Sequence, residues 1–457
     1  MSKLHSFPGS FHDPRGGIFH AENKLYRVVT PLGAKDFNQL MNSGLYEKLV
    51  EKQQLLPLIA CDLKQFSLPQ KIEKIYEVPR LPFVSYPFEW GFSALQQAAQ
   101  FHLTLHLEAL QHDMTLIDAS AYNVQFFEGA PIFIDHSSFT NYEPGSYWTG
   151  HRQFIEQFMN PLLLQAKAGI AFNDYLRSKP QGLPAVELKQ FLPWSSKLSW
   201  RVFAHVILPT KFANVDAKTT KEISIQQPLA KHKLEAILED LLQWVKRLQP
   251  RYPKSVWCDY ERQVEPEQRK KKEEFIADFI NTFSPKRILD LGCHQGYYSH
   301  KLVNDERVII GLDKDSFAID KAFQQQQDSN FFPLVMDLTN LTPDFGFADQ
   351  ERQAFTKRAK VDALIALAII HHLGIGQSIP LKKIVAWLLQ LAPLGVIEFV
   401  PKSDPKVQLL LALKKDLYPD YELANFLSLL AERATIIAQE TIPGTKRELI
   451  AYQRRIN

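Results

Sequence analysis

Apolar and polar positions along the chain follow two periods, and the change between them divides it. GGIFHAENKLYRVVT alternates around a polar turn and predicts a β-hairpin over Gly17–Thr30. Helical spacing follows over 35–52, a strand-like run over Ile72–Val78, and helical spacing again over Ser93–Gln111, with Ser93 as the predicted cap. NVQFF and PIFID predict two strands joined at Glu128-Gly129. Aromatic residues at helical spacing over 147–169 predict core packing. The polar run Lys211–Pro228 predicts a linker, and Leu234–Leu248 an amphipathic connector helix. RKKKEE at 269–274 predicts the solvated face of a further helix, and QQQQ at 324–327 the exposed end of another.

From Pro285 onward short apolar runs alternate with helical segments, as in a mainly parallel sheet covered by helices. The runs are RILDL, VIIGLD, PLVMD, VDALIALA and GVIEFV; Val407–Leu430 is then largely helical, and ATIIAQE and ELIAYQR close the chain as two strands around Pro443-Gly444. The expected class is α/β, in three parts: an α+β domain over 1–210, a linker and connector helix over 211–254, and a seven-stranded Rossmann-like domain over 255–457.

Chemistry concentrates in RILDLGCHQGYYS at 287–299. A strand ending in Asp290 runs into Gly292 and Gly296 and then a helix, a turn in which small residues let a ligand approach the backbone. A dinucleotide fingerprint would need three glycines with the acid about 20 residues later; here Asp290 precedes Gly292, and His294 stands between the two glycines. The next two strands end in acids, Asp313 and Asp337. Acids at the carboxyl ends of successive strands lie where an open α/β sheet binds its ligand. Taken singly, each would be read as a helix cap or a solvated loop.

Composition adds loose bounds. The chain has 457 residues, 45% hydrophobic and 23% charged, a globular composition long enough for two or three domains. A net charge of +3 gives no footprint for a nucleic-acid partner. Cys61, Cys258 and Cys293 are odd in number and far apart, so neither a disulfide framework nor a metal site is expected. With no signal-like N-terminus and no apolar run of membrane-spanning length, the expected compartment is the cytoplasm.

DLGCHQG resembles the D-x-G-x-G-x-G motif of class I S-adenosylmethionine-dependent methyltransferases, with His294 in place of the middle glycine. That resemblance implies S-adenosylmethionine as cofactor, held by Asp290, Gly292, His294, Gly296, Asp313 at the ribose hydroxyls and Asp337 beside the adenine. It puts His371 and His372, after the fourth strand, over the transferred methyl group. His371 is the favoured base and Glu398, on the fifth strand, the competing one; Lys402 and Asp404 are weaker acceptor-binding candidates. A second stretch, LIDASAYNVQFFEGAPIFID, resembles the catalytic half of kinases. Asp118, Asn123 and Asp135 stand in the order of its catalytic acid and two metal ligands, which would imply ATP and Mg²⁺. The usual His-Arg is replaced by Leu116-Ile117 and no glycine-rich phosphate loop can be placed, so weak or absent kinase activity is expected.

Over most of its length, through DPRGGIF, SGLYEKL, VSYPFEW, DASAYNVQF, IFIDHSSF, LALAIIHHL and IEFVPKSDPKV, the chain resembles a little-characterised bacterial group of class I methyltransferases, some labelled nodulation-related. The expectation is a methyltransferase acting on a small-molecule or glycan acceptor. Alternatives are a bifunctional kinase and methyltransferase acting on a sugar or lipid-linked glycan, and a non-catalytic cofactor-binding sensor or scaffold.

Overall fold

The computed structural model describes residues 2–67, 71–207, 228–252, 265–325, 330–412 and 416–455. The predicted linker over 211–227, Cys258 and the last two residues of QQQQ lie outside them. The chain forms two compact units: Met1–Pro253 with Asp344–Arg352, and Lys254–Pro343 with Gln353–Asn457.

In the first unit the predicted hairpin is present as β2 (Gly16–Ala21) and β3 (Lys24–Val29). With β1 (His5–Ser6), β4 (Ile59–Ala60) and β5 (Lys74–Val78) it makes an antiparallel sheet of order β1-β2-β3-β5-β4. Helices α1 (Ala34–Asn42) and α2 (Leu45–Glu51) fill the predicted helical run. Helix α3 (Phe92–Gln111) starts one residue before Ser93; Gly91 takes the cap position, and Ser93 lies inside the helix. Leu95, Ala98, Ala99, Leu103, Ala109 and Leu110 of α3 are fully buried. Each large apolar side chain removed from water contributes about 1.5–3 kcal/mol.

The amphipathic helix read as a connector, α4 (Lys231–Arg247), belongs to this unit. It packs Leu238, Leu241 and Val245 inward, and Gln96 Nε2 of α3 donates to the carbonyls of Val245 and Leu248 at 2.7 and 2.9 Å. Asp344–Arg352 completes the unit, with Phe345 edge-on to Tyr86 and Phe88, and the Arg352 guanidinium 4.3 Å from the Tyr122 ring.

This core encloses histidines. Burial pushes His102 and His136 down to about 3, the Arg27 charge adding to the effect at His136. Burial, with His205, pushes His151 down to about 4. Each is neutral in the folded chain but binds a proton below about pH 6.5 once unfolded. Stability is therefore full above that pH and is lost as pH falls towards 4, by up to about 1.4 kcal/mol per pH unit for each histidine. Urea unfolding of the full chain should show the midpoint of this unit dropping steeply below pH 6.5. A midpoint unchanged down to pH 4.5 would refute it.

The second unit is built on a seven-stranded sheet. Its strands are β6 (Arg287–Leu291), β7 (Val308–Asp313), β8 (Phe331–Val335), β9 (Ala363–Ala366), β10 (Leu394–Phe399), β11 (Ala434–Thr441) and β12 (Glu448–Arg454). The order is β8-β7-β6-β9-β10-β12-β11, the first five parallel and the final hairpin antiparallel. The central strands are apolar on both faces because helices cover both. The edge strand β11 alternates half-buried and exposed positions after Ala434, as a half-solvated strand should. Helix α5 (Pro266–Phe283) lays Phe275, Ile276, Phe279 and Ile280 into the core formed with Ile288, Ile309, Ile365 and Val396. Among the described residues no helix is long and apolar enough to cross a membrane.

Candidate active site

The carboxyl end of β6 is stapled to β7. Beyond Asp290 the chain turns sharply, with φ of +77° at Gly292, +52° at His294 and +77° at Gly296. Only glycine reaches this region freely, so histidine at the middle position carries a modest backbone cost. Fixed hydrogen bonds offset it: Gly292 and Cys293 donate their N–H groups to the Leu312 carbonyl at 2.8 and 3.1 Å, and His294 N–H donates to Asp313 Oδ2 at 3.1 Å. A side chain at Gly296 would meet the Phe331 ring at 2.8 Å.

Two acids face this turn. Asp290 is buried and accepts from Ser299 Oγ at 2.6 Å. Burial pushes its pKa up to about 6, against the Ser299 hydrogen bond and with the charge of Asp313 adding to the rise. Asp313 is also raised, chiefly by burial, although it accepts the N–H groups of Asp315 and His294. Each Asp313 oxygen takes one backbone N–H and keeps lone-pair capacity for a ligand hydroxyl. Asp337 is differently placed. Strand β8 stops at Val335, and the exposed Asp337 carboxylate is taken up by Thr339 N–H and Oγ1 at 2.8 and 2.7 Å.

The fourth and fifth strands end in a cluster of the opposite character. His371 and His372 follow β9, their ring centroids 4.1 Å apart. His371 is 2% exposed and its Nδ1 has no hydrogen-bond partner among the described residues; His372 is half-buried. Burial pushes His371 down to about 2, helped by His372, Arg447 and Lys406. Burial pushes His372 down to about 4, helped by Lys314 and Lys406. Both imidazoles are neutral near pH 7.

Glu398 on β10 is fully buried, with Lys272 Nζ of α5 at 2.7 Å and Arg447 Nη1 at 3.2 Å. Arg447 also donates to both oxygens of Asp404, at 2.7 and 3.2 Å, and Asp404 accepts the Lys406 N–H at 2.9 Å. Lys402 pairs with Asp416 at 3.0 Å.

Lys272 corrects the reading of RKKKEE as a wholly solvated face. It is 4% exposed and lies three and four residues before Phe275 and Ile276, on the buried stripe. That spacing was the available signal; Arg447 and Lys406 gave none.

In the first unit Asp118, Asn123 and Asp135 converge. Asn123 Nδ2 donates to Ser138 Oγ at 3.4 Å, and Ser138 Oγ donates to Asp135 Oδ2 at 2.7 Å. Burial, then the charge of Asp135, raises the pKa of Asp118. Arg27 of β3, which the sequence did not single out, donates to Asp135 Oδ1 and Ser137 Oγ at 3.0 Å each, and to the Ile134 carbonyl at 3.1 Å. Among the described residues no group of three His, Cys, Asp or Glu side chains is placed to hold a metal ion.

Comparison with known proteins gives one relative along nearly the whole chain. The nodulation protein NoeA of Rhizobium meliloti (strain 1021) is 37% identical over 456 residues, covering 98% of this chain and 95% of that protein. The chain belongs to the NoeA family. No family model matches this NoeA-family chain. Among solved structures it is similar to N-methyltransferase NodS from Bradyrhizobium japonicum WM9 in complex with S-adenosyl-L-homocysteine, at 12% identity and a TM-score of 0.31, covering 43% of this chain and 92% of that one. It is also similar to magnesium protoporphyrin IX methyltransferase from Synechocystis PCC 6803 with bound SAM, at 15% identity and a TM-score of 0.29, covering 41% and 80%. At such identities and scores neither lends a residue role to this member of the NoeA family.

Proposed function

We propose that the second unit is an S-adenosylmethionine-dependent methyltransferase acting on a small-molecule or glycan acceptor. The observation that carries this reading is the acid pair Asp290 and Asp313 at the ends of neighbouring central strands, each raised by burial. Two neighbouring acids raised by burial, with the charge of Asp313 adding to the rise at Asp290, favour a cationic ligand, because its charge restores their ionised forms. S-adenosylmethionine carries two positive charges, a sulfonium and an ammonium, and a ribose whose hydroxyls match the lone pairs left on Asp313. Gly292, His294 and Gly296 would shape the turn against which it lies, whereas Asp337, engaged with Thr339, contributes nothing to our reading.

When bound, the cofactor supplies an electrophilic methyl group, and the chain's task is to orient the acceptor for in-line attack. His372 is the better candidate base than His371, being half-buried rather than enclosed and less depressed in basicity. Its neutral imidazole would take the acceptor's proton as the new bond to carbon forms. Glu398, held between Lys272 and Arg447, leaves that role.

Calorimetric titration with S-adenosylhomocysteine tests the reading. Binding should be tight near neutral pH and weaken below about pH 6, as Asp290 takes up a proton, by up to about tenfold per pH unit. Absence of binding would overturn it. Transfer of labelled methyl from S-adenosylmethionine to a cell extract, lost in His372→Asn with cofactor affinity kept, separates an enzyme from a binding scaffold.

A second reading concerns the first unit, which we take as kinase-like in chain order. It is supported by a five-stranded antiparallel sheet followed by α3, and then by Asp118, Asn123, a hairpin and Asp135. A divalent cation on Asp135 would have to displace Arg27, so the residues as they stand do not fit Mg²⁺ with ATP.

A further inference from the structure

The first unit carries a cleft of its own, with a volume of about 490 Å³, inside the range of about 300–1,000 Å³ usual for small-molecule sites. It is lined by Ser199, Trp200, Arg201, Ala204 and His205, from the helical run over 200–207 and the residue before it, and by Asp240 of α4. Arg201 Nη2 and Nε donate to the two oxygens of Asp240 at 2.7 and 3.4 Å, which fastens the run to α4. Trp200 stacks on Phe203, their ring centroids 5.8 Å apart, and yet stays 74% exposed. It forgoes the large gain that burying an indole brings. His205 packs beside Trp244, 5.6 Å between centroids. Burial lowers its pKa, with Asp240 opposing and Arg201 adding, so the ring is neutral near pH 7 and offers one N–H and one acceptor nitrogen. Ser199 stands at the N-cap position of the run, but its hydroxyl makes no cap hydrogen bond.

These groups select a kind of ligand. The charges of Arg201 and Asp240 cancel, so an anion would have to compete with Asp240 and a cation with Arg201. The pair still presents unused N–H donors next to carboxylate lone pairs. Two neighbouring hydroxyls satisfy that arrangement together, one accepting from the guanidinium and the other donating to the carboxylate. The indole supplies a flat face of negative quadrupole, which attracts a surface of C–H groups. A flat C–H face rimmed by hydroxyls describes a pyranose ring. We propose that this cleft binds a neutral sugar ring of an oligosaccharide, its C–H face on Trp200 and two vicinal hydroxyls on Arg201 and Asp240. Ser199 and His205 are open to further hydroxyls. The site recognises the sugar, and no bond forms or breaks there. It belongs to the first unit and stands whether or not the second transfers methyl groups.

The test uses the full chain with nitrogen-labelled tryptophan and follows the Trp200 indole N–H by NMR, assigned with Trp200→Phe. Neutral trisaccharides of glucose, galactose, mannose and N-acetylglucosamine are added in turn, to about 20 mM. At least one should move that signal saturably, with a Kd of about 1 mM or lower. The Kd should be the same at about 50 and 500 mM sodium chloride, because the ligand is uncharged. By calorimetry, Trp200→Ala and Asp240→Asn should each weaken binding about tenfold or more, the second as loss of a charge-assisted hydrogen bond does. Trp194→Ala is the control: that indole is 81% exposed but does not line the cleft, and its loss should leave the affinity unchanged. Trp200 and Asp240 are exposed, so both variants should keep the thermal midpoint of the wild-type chain. No saturable movement with any of the four sugars, or wild-type affinity in Trp200→Ala or Asp240→Asn, overturns the proposal. So does a Trp200 response to adenosine or to phosphatidylglycerol vesicles under conditions where no sugar acts, since the cleft would then serve a nucleobase or a bilayer surface.

Discussion

Glu398→Ala is expected to destabilise the second unit by about 3–5 kcal/mol. The carboxylate is fully buried and neutralises Lys272, itself 4% exposed, as well as one arm of Arg447. Removing it leaves cations in a low-dielectric interior with their desolvation still to be compensated. Glu398→Gln should cost less, since the amide oxygen can still accept one of the two donors. Paired with Lys272→Met it should recover part of the loss, because the unpaired ammonium goes with it. Denaturant unfolding of the full chain, followed by hydrogen exchange in β10, measures all three. A loss below about 1 kcal/mol in Glu398→Ala would mean that water reaches the pair and that the network is a surface feature.

The second large effect falls on ligand binding. Asp313→Ala is expected to weaken S-adenosylhomocysteine at least tenfold, since each charge-assisted hydrogen bond is worth about 1.5–3 kcal/mol. Asp313 also ties the turn after β6 to β7 through the His294 N–H, so the alanine variant loses a ligand contact and the tether of the loop that shapes the site. Asp313→Asn separates these contributions: its oxygen can keep the His294 tether while the charge is lost. Unchanged calorimetric affinity in the alanine variant would remove Asp313 from the cofactor site.

The turn and its acids were legible because they are local. A strand of four or five apolar residues ending in an acid, then glycines, determines where Asp290 and Asp313 stand before any long-range contact forms. Asp337 shows the limit of that argument. Its strand ends two residues early, and a threonine two residues on captures the carboxylate, the local competition that gives Asx turns. The network around Glu398 could not be read in this way. Lys272, Glu398, Asp404 and Arg447 come from a helix, a strand, a loop and a hairpin turn, and only the assembled sheet brings them together. The same holds for Arg27 and Asp135, which stand 108 residues apart in sequence. A charge run such as RKKKEE is usually solvent-facing, and one lysine of it is buried here because the helix carries its apolar stripe through that position.

The assignment of Asp344–Arg352 to the first unit bears on how the polypeptide can be divided. A gene cut after Pro253 would give the downstream product a segment whose aromatic partners, Tyr86, Phe88 and Tyr122, are encoded upstream. Co-expressed halves would then recognise each other through Phe345 and Arg352, as split proteins complement in trans. A downstream half shortened across 344–352 by a glycine-rich bridge would instead be a free-standing fragment. The two units are thus interleaved in sequence, the chain returning to the first between β8 and β9 of the second.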